Sequence, residues 1–568
     1  MSRLQRQTWE WAFDGPATVI WPLYADTSRF NEAAGYQPYE IDEVPQPDGS
    51  VRYFVETKLG PYALAWEEIP ANWQEGHWFS HDRRFTRGPF RQMNVRVRVE
   101  ERGARCVFHY TLEVEPANLV GALVMKGGFF GKVGRTFDRL AAGFARYADG
   151  QSAQPYVPGP PRLAAGARAR CAQIGMELAR SPYAHKLQDR LIAWILERSE
   201  NDVMPLRPKT LAREWRLPER HVTELCLVAA SKGLLSLRWA LLCPNCRIGK
   251  AESARMDEIP RGAHCSSCNI DYQRDFNRNV ELAFLPSKAI RPLHSGEYCL
   301  FGPMSTPHIK AQLRVDPGTA RQETNYLAPG NYRIRTLEPG NDVYLDWSGG
   351  NFPRIVFDPQ GQLNLEYELA AATLYIDNHF RHHRTVIIEL RAWMQDVLTA
   401  REAATLQCFR DLFSEQVLRA GDHVEIDNVV LMFTDIKAST ALYNQIGDAA
   451  AYALVREHFA VLATCVRRCN GTIVKTIGDA IMAAFDQPLD GVVCALAIQQ
   501  AFALFNSERT GSDAQVTVKI GMHMGPCISV TLNGILDYYG KVANLTARLA
   551  GLSEGDDVVL SQALADDP

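Results

Sequence analysis

The chain has almost no excess charge. Its 61 Lys and Arg face 65 Asp and Glu over 568 residues, a net charge of −4, so no global basic field points to nucleic acid or an anionic membrane. No apolar run reaches the roughly 18 residues that a membrane-spanning helix needs. The longest candidate, around Leu119 to Phe130, is interrupted by Lys126 and a glycine pair. The N-terminus, Met1-Ser2-Arg3-Leu4-Gln5-Arg6, runs into alternating Trp9-Glu10-Trp11-Ala12-Phe13 and lacks the apolar core of a signal peptide. A disulfide framework is missing too: of 13 cysteines, four form one tight pattern and the rest are scattered singly, as thiols in a reducing compartment are. These absences predict a cytoplasmic protein with no transmembrane segment. The length exceeds a single core and suggests about three to five units.

Residues 1–150 read as one α+β domain. Trp9, Trp11 and Phe13 alternate as a strand, and alternating runs follow at Val51 to Leu59, Tyr62 to Glu68, Val95 to Val99 and Val107 to Val114. A helix then places Phe137, Leu140, Phe144 and Tyr147 on one face. This order resembles the helix-grip fold of START and polyketide-cyclase-like proteins. The resemblance implies either a cavity for an apolar small molecule or lipid, or aromatics that simply fill a core. Residues 151–166 are a Pro/Gly-rich linker. Residues 167–240 are helical and outline a winged helix, in which Lys209 to Trp215 and Glu219 to Lys232 form a helix-turn-helix. The second helix offers only Arg220, His221 and Lys232 against Glu219 and Glu224, so nucleic acid is not expected and a packing or dimer role is.

In residues 241–275, Cys243-Pro244-Asn245-Cys246 is followed by Cys265-Ser266-Ser267-Cys268. Two such knuckles put four thiolates where they can close around Zn²⁺, and with every position filled by protein the site is structural. It resembles a zinc ribbon. Residues 276–390 turn all-β, with short strands and Pro-Gly turns suggesting a sandwich. His379, His382 and His383, flanked by two arginines, invite a metal reading but are expected to be a solvated hairpin tip. Residues 391–422 show helical periodicity at Met394, Val397, Ala400, Ala404, Leu406, Phe409 and Phe413. They are expected to form a signalling helix that could pair with its copy in a second chain.

The most informative stretch lies in residues 423–568. Val429 to Ile436 is an apolar strand ending in the carboxylate of Asp435, and Gly478-Asp479 is a turn between two short strands that presents a second carboxylate. Two acidic side chains at strand ends suit a divalent metal that works on phosphates, because Mg²⁺ prefers hard oxygen ligands. The order is strand, two helices, strand hairpin, helix, two strands, helix and short strand.

This stretch resembles the class III nucleotidyl cyclases, a ferredoxin-like α/β catalytic domain. The resemblance rests on Phe433-Thr434-Asp435-Ile436, Lys475 with Gly478-Asp479, Gly521-Met522-His523-Met524-Gly525-Pro526, Asp537-Tyr538-Tyr539-Gly540, Asn544 and Arg548. It implies that Asp435, the Ile436 carbonyl and Asp479 hold two Mg²⁺ or Mn²⁺ ions per site. Lys475 and Asp537 would read the base, Ser439 and Thr440 would meet the phosphates, Asn544 would position the ribose and Arg548 would stabilise the transition state. In the family the metal aspartates come from one subunit and the base readers, asparagine and arginine from the other, so a homodimer with composite sites is implied. A Lys donor and an Asp acceptor match N1 and N6 of adenine, whereas guanine reverses both, which argues for ATP. Family domains continue into a final hairpin with a basic residue for the terminal phosphates; with the sequence ending at Ala565-Asp566-Asp567-Pro568, the expectation is either a truncated chain or a missing contact. The whole is expected to be a multidomain α+β protein, an adenylate cyclase regulated by upstream sensor domains. The alternative is a catalytically weak, nucleotide-binding signalling scaffold.

Overall fold

The computed structural model describes residues 4–59, 62–156, 159–293, 296, 298–300, 302–392, 395–419, 421–509, 515–532 and 534–567. An antiparallel ladder runs from Gln5–Phe13 through Arg105–Pro116, Phe90–Arg102 and Trp78–Arg87 to Tyr62–Gln74. The helix Phe129–Ala148 packs against it through Phe137, Leu140 and Phe144. Rings fill the space between helix and sheet: Tyr24 stacks on Phe108 at 4.5 Å and meets Phe144 edge-on at 5.0 Å, and Tyr110 lies 4.7 Å from Phe137. Offset and T-shaped arrangements of this kind are how aromatic side chains pack in a core.

Two expected boundaries do not hold. The far half of Tyr62–Gln74 pairs with Ile309–Val315 (Ala311 with Gln74, Gln312 with Trp73). The ladder continues through Arg384–Leu390, Gly330–Thr336 and Val343–Trp347, so one eleven-stranded sheet joins residues 1–150 to the later β-rich region. An exposed edge there would leave backbone N–H and C=O groups unpaired, and the second region supplies their partners. The strand Val280–Pro286, placed with the sandwich by its position after 276, instead pairs with Leu235–Leu242.

The remaining β-rich strands, Thr319–Thr324, Thr373–Asn378, Phe352–Phe357 and Leu363–Ala371, make a second sheet that buries Ile355, Phe357, Leu374 and Ile376 against Leu313, Ile334, Val386 and Ile388. The histidine loop is not a free tip: His382 approaches Asp48 at 3.8 Å and His383 approaches Glu338 at 3.5 Å.

In the winged-helix-like region, helix α1 (Glu219–Ser231) is enclosed. Val222, Leu225, Cys226 and Val228 are buried, and Glu224 accepts from Arg220 at 2.9 Å and contacts His185 at 2.6 Å. The expected long helix over 391–422 is absent from its described residues, and Trp393 and Met394 lie outside them. Instead there are two short helices, α2 (Ala400–Ala404) and α3 (Gln407–Leu412). Thr399 and Glu402 form a capping box that starts α2, and Leu406 is extended and separates the two. Val397, Ala400, Ala404, Phe409 and Phe413 are buried within the same chain rather than kept as a seam, with Phe409 meeting Trp239 edge-on at 6.0 Å.

The C-terminal region is a six-stranded sheet with helices: β1 (Val424–Ile436), α4 (Ser439–Ile446), α5 (Asp448–Arg468), β2 (Thr472–Ile477), β3 (Ala480–Phe485), α6 (Pro488–Ser507), β4 (Val518–Leu532), β5 (Ile535–Tyr539), α7 (Lys541–Leu552) and β6 (Val558–Leu560). The strand order is β2-β3-β1-β4-β5, with β6 parallel to β4. Alternation gives the sheet two apolar faces. Val430, Met432, Ile481, Ala483 and Ile520 pack on α5 and α6 through Leu462, Ile498 and Phe502. Leu431, Met482, Ala484 and Cys527 belong to a core shared with α1, α3 and Trp239. By length and composition α5 and α6 could each cross a membrane, although neither is an unbroken apolar run. One face of each packs on the sheet as just described, while Tyr452 of α5 and Leu489, Val493, Leu496 and Leu504 of α6 are exposed.

Candidate active site

The register of the sheet brings the two carboxylates together. Thr434 pairs with Ile481, so the next residue of β1, Asp435, lies beside the start of β3, where Asp479 ends the β2–β3 turn. Gly478 adopts φ +63°, which a two-residue hairpin turn with a left-handed first position requires. The Thr434 hydroxyl accepts from the Ile481 N–H at 3.3 Å and ties the strand end to the turn. Burial and the Asp479 charge both push the Asp435 carboxyl above its usual range. Oδ2 of Asp479 is buried without a hydrogen-bond partner. Two crowded carboxylates, one carrying an orphaned oxygen, are what a divalent cation would relieve, so the residues fit a metal. Ile436, whose carbonyl is the third expected ligand, completes the strand and is followed by the exposed Lys437.

Ala438, next in the chain, sits at φ +54°, a strained conformation for a non-glycine residue. It turns the chain into α4, whose first residues are Ser439 and the exposed Thr440. The first N–H groups of a helix have no intrahelical partner and suit an anion.

Sequence reasoning missed two residues at this site. Burial, followed by the nearby Asp479 charge, raises the Tyr443 hydroxyl to about 12. His458 is fully buried, and burial lowers it to about 4 although the charge and backbone of Asp479 beside it act to raise it. The available signal was a histidine placed four residues from both Leu454 and Leu462 on the buried stripe of α5.

At the two ends of the strand order, Lys475 of β2 and Asp537 of β5 form an ion pair at 2.6 Å, with Asp537 buried and Lys475 about one-third exposed. The second Asp537 oxygen accepts from the Tyr538 N–H at 2.8 Å, which fixes the carboxylate.

Helix α7 lies directly on β4. A Cβ on Gly521 would come within 2.0 Å of the Ala550 nitrogen, so this position admits glycine alone. His523 meets the Ser561 hydroxyl at 2.7 Å, joining β4 to the end of β6. Val542, Thr546 and Ala550 face the sheet, which turns Asn544 and Arg548 to solvent. These two share one helix face but are not buried against the carboxylates within the chain.

The four cysteines converge elsewhere. Cys243, Cys246, Cys265 and Cys268 are all buried with their sulfurs within 4.8 Å of one another, and among the described residues they are the one cluster of three or more close metal-ligand side chains. The residue after each knuckle is left-handed, Arg247 at φ +60° and Asn269 at +48°. The Asn245 N–H points at the Cys243 sulfur at 3.4 Å. Such a closed four-sulfur set fits Zn²⁺. The knuckles join several regions: the Tyr53 hydroxyl donates to the Ser267 carbonyl at 2.7 Å, His308 meets the Asn245 carbonyl at 2.9 Å, and the Tyr272 hydroxyl donates to the Leu241 carbonyl at 3.0 Å.

Comparison with known proteins bears on two stretches. A family described as "Adenylate and Guanylate cyclase catalytic domain" matches residues 422–566, and a "Family of unknown function (DUF5939)" matches residues 173–298. An adenylate cyclase of Lachancea kluyveri is 32% identical over 152 residues, and one of Anabaena cylindrica is 28% identical over 152. Each match takes in 24% of this chain, which thereby spans 8% and 30% of those relatives. A solved structure of adenylate cyclases from Trypanosoma brucei in their monomeric state aligns at 25% identity and a TM-score of 0.21, over 24% of this chain and 74% of that one. Residues 422–566, which hold Asp435, Lys475, Asp479, Asp537, Asn544 and Arg548, are a class III adenylate/guanylate cyclase catalytic domain.

Proposed function

We propose that the protein is a cytoplasmic adenylate cyclase that converts ATP to 3′,5′-cyclic AMP and pyrophosphate as a homodimer with two composite sites. The observation that carries the substrate is the Lys475–Asp537 pair, a donor beside an acceptor at 2.6 Å. Lys475 donates to adenine N1 and Asp537 accepts from the N6 amine. Guanine would leave this half-buried lysine facing an N–H, a loss of about 1–3 kcal/mol.

Asp435, the Ile436 carbonyl and Asp479 would hold two Mg²⁺ or Mn²⁺ ions, which when bound acidify the ribose 3′-hydroxyl and neutralise charge on the triphosphate. The N–H groups of Ser439 and Thr440 meet the phosphates. Asn544 orients the ribose so that its 3′-oxygen lies in line with the α-phosphorus, and Arg548 offers a planar donor fork to the charge that builds there. The exposure of Asn544 and Arg548 supports the dimer reading, because each needs an occupied site opposite it. The four cysteines hold a structural Zn²⁺ ion at the junction of the upstream regions.

Purified full-length protein with ATP and Mn²⁺ should yield cyclic AMP by chromatography. An Asp435→Asn variant indistinguishable from wild type would sink this reading.

A further inference from the structure

The segment that carries α2 and α3 lies outside both matched stretches, 173–298 and 422–566. It nevertheless grips the two edge strands that hold Lys475 and Asp537. Gln407 Oε1 accepts from the Ile473 N–H at 2.6 Å, at the register shift between Ile473 and Lys475. Arg410 Nη1 donates to the Leu536 carbonyl at 2.6 Å, one residue before Asp537, and its guanidinium lies 5.4 Å from the Tyr538 ring centre, one residue after it. Arg410 Nε closes on the Ala404 carbonyl at 2.8 Å, so the side chain is held from behind. The Thr472 hydroxyl donates to the Thr405 carbonyl.

Edge strands carry backbone groups that no further strand satisfies. Here one six-residue helix supplies partners to both edges, at residues flanking the ion pair. Packing alone does not explain Arg410, because an aliphatic side chain would fill this half-buried position without the cost of desolvating a guanidinium. The other side of α3 faces α1: Cys408 lies beneath it with Sγ 3.8 Å from the Glu224 carbonyl, and Phe409 packs on Trp239. Arg220 of α1 also reaches the Asn470 carbonyl, just before β2, at 2.8 Å.

We propose that Arg410 and Gln407 are positioning residues for the base-reading pair, so that a helix outside the catalytic domain sets how well the site selects adenine. Displacement of α1 moves α3, and α3 holds the separation of Lys475 from Asp537. The proposal rests on the adenine reading given above.

Equilibrium binding of fluorescent ATP and GTP analogues to the full-length chain with Mn²⁺, alongside turnover of both nucleotides, tests it. Wild type should favour ATP. Arg410→Ala should lower the ATP-to-GTP ratio about tenfold, the scale of one charged hydrogen bond, and raise KM for ATP more than it lowers kcat. Arg410→Lys, which keeps a donor for the Leu536 carbonyl, should recover part of the ratio. Gln407→Ala should shift it in the same direction and decides the matter if Arg410→Ala melts early. A selective wild type with equally selective Arg410→Ala and Gln407→Ala variants would overturn the proposal alone. A wild type that binds both analogues equally would sink the adenine reading and the proposal with it.

Discussion

Lys475 and Asp537 touch at 2.6 Å although they stand on β2 and β5, the two ends of the strand order β2-β3-β1-β4-β5. The curl of the sheet closes one edge on the other, and the ion pair spans the closure. On the adenine reading proposed above, donor and acceptor would be in place before a nucleotide arrives, which would limit the reorganisation that binding requires.

Reversing the charge at one end of this pair should reverse the preference it creates. Lys475→Glu should lower kcat/KM for ATP by a factor on the order of 10–100, with a smaller loss, or a gain, for GTP. Measuring both nucleotides side by side checks this. An equal loss for the two would show that Lys475 does not read the base.

The division of labour between chains can be read by mixing variants. Asp435→Asn and Arg548→Ala should each lose activity by a factor on the order of 100 or more. Mixed in equal amounts and allowed to exchange, they should recover about a quarter of wild-type activity, because a mixed dimer with two-fold symmetry regains one intact site. No recovery would place all the groups of a site in a single chain.

Removing zinc should loosen the upstream regions. Elemental analysis should find about one zinc per chain, and Cys265→Ser or a strong chelator should lower Tm by several degrees or more. The Tyr53–Ser267 and His308–Asn245 bonds depend on knuckle geometry, so protease sensitivity should rise near residues 43–53 and 308 as well as at the knuckles.

Acid should weaken the N-terminal sheet through Glu68. Burial raises this carboxyl, but Arg83 at 2.9 Å and the nearby His81 outweigh it and bring it down to about 2. Its folded value lies below its unfolded one, so its stabilisation is complete above about pH 4.5. It is lost as pH falls toward 2. The contribution is on the order of 3 kcal/mol. Denaturant titrations from pH 6 to 2 should show an acid-limb slope that Glu68→Gln flattens.

Much of the catalytic domain was legible along the chain. Asp435, Asp479, Lys475, Asn544 and Arg548 sit at strand ends, in a tight turn or on one helix face, and local spacing places such residues. The cysteine knuckles are legible for the same reason, since each holds two ligands three residues apart. Long-range pairing left no such trace. The pattern that ends Tyr62–Gln74 does not say that Ile309–Val315 will pair with it. The apolar spacing from Val397 to Phe413 is equally consistent with a seam between chains and with burial against Trp239. His458 reads as one polar interruption in an apolar stripe until the fold sets it beside Asp479.

The sequence by itself determined which side chains stand at which spacing: two carboxylates at strand ends, a lysine and an aspartate, an asparagine and an arginine four apart, and two pairs of thiols. Tertiary structure alone decided that β2 meets β5, that one sheet runs through two apparent domains, and that Arg410 and Gln407 bond to the strands carrying Lys475 and Asp537. The physical reason is range. Turn, cap and knuckle geometry depend on neighbours within a few residues, whereas edge pairing and core sharing depend on which distant surfaces lose the most water and leave the fewest backbone groups unpaired.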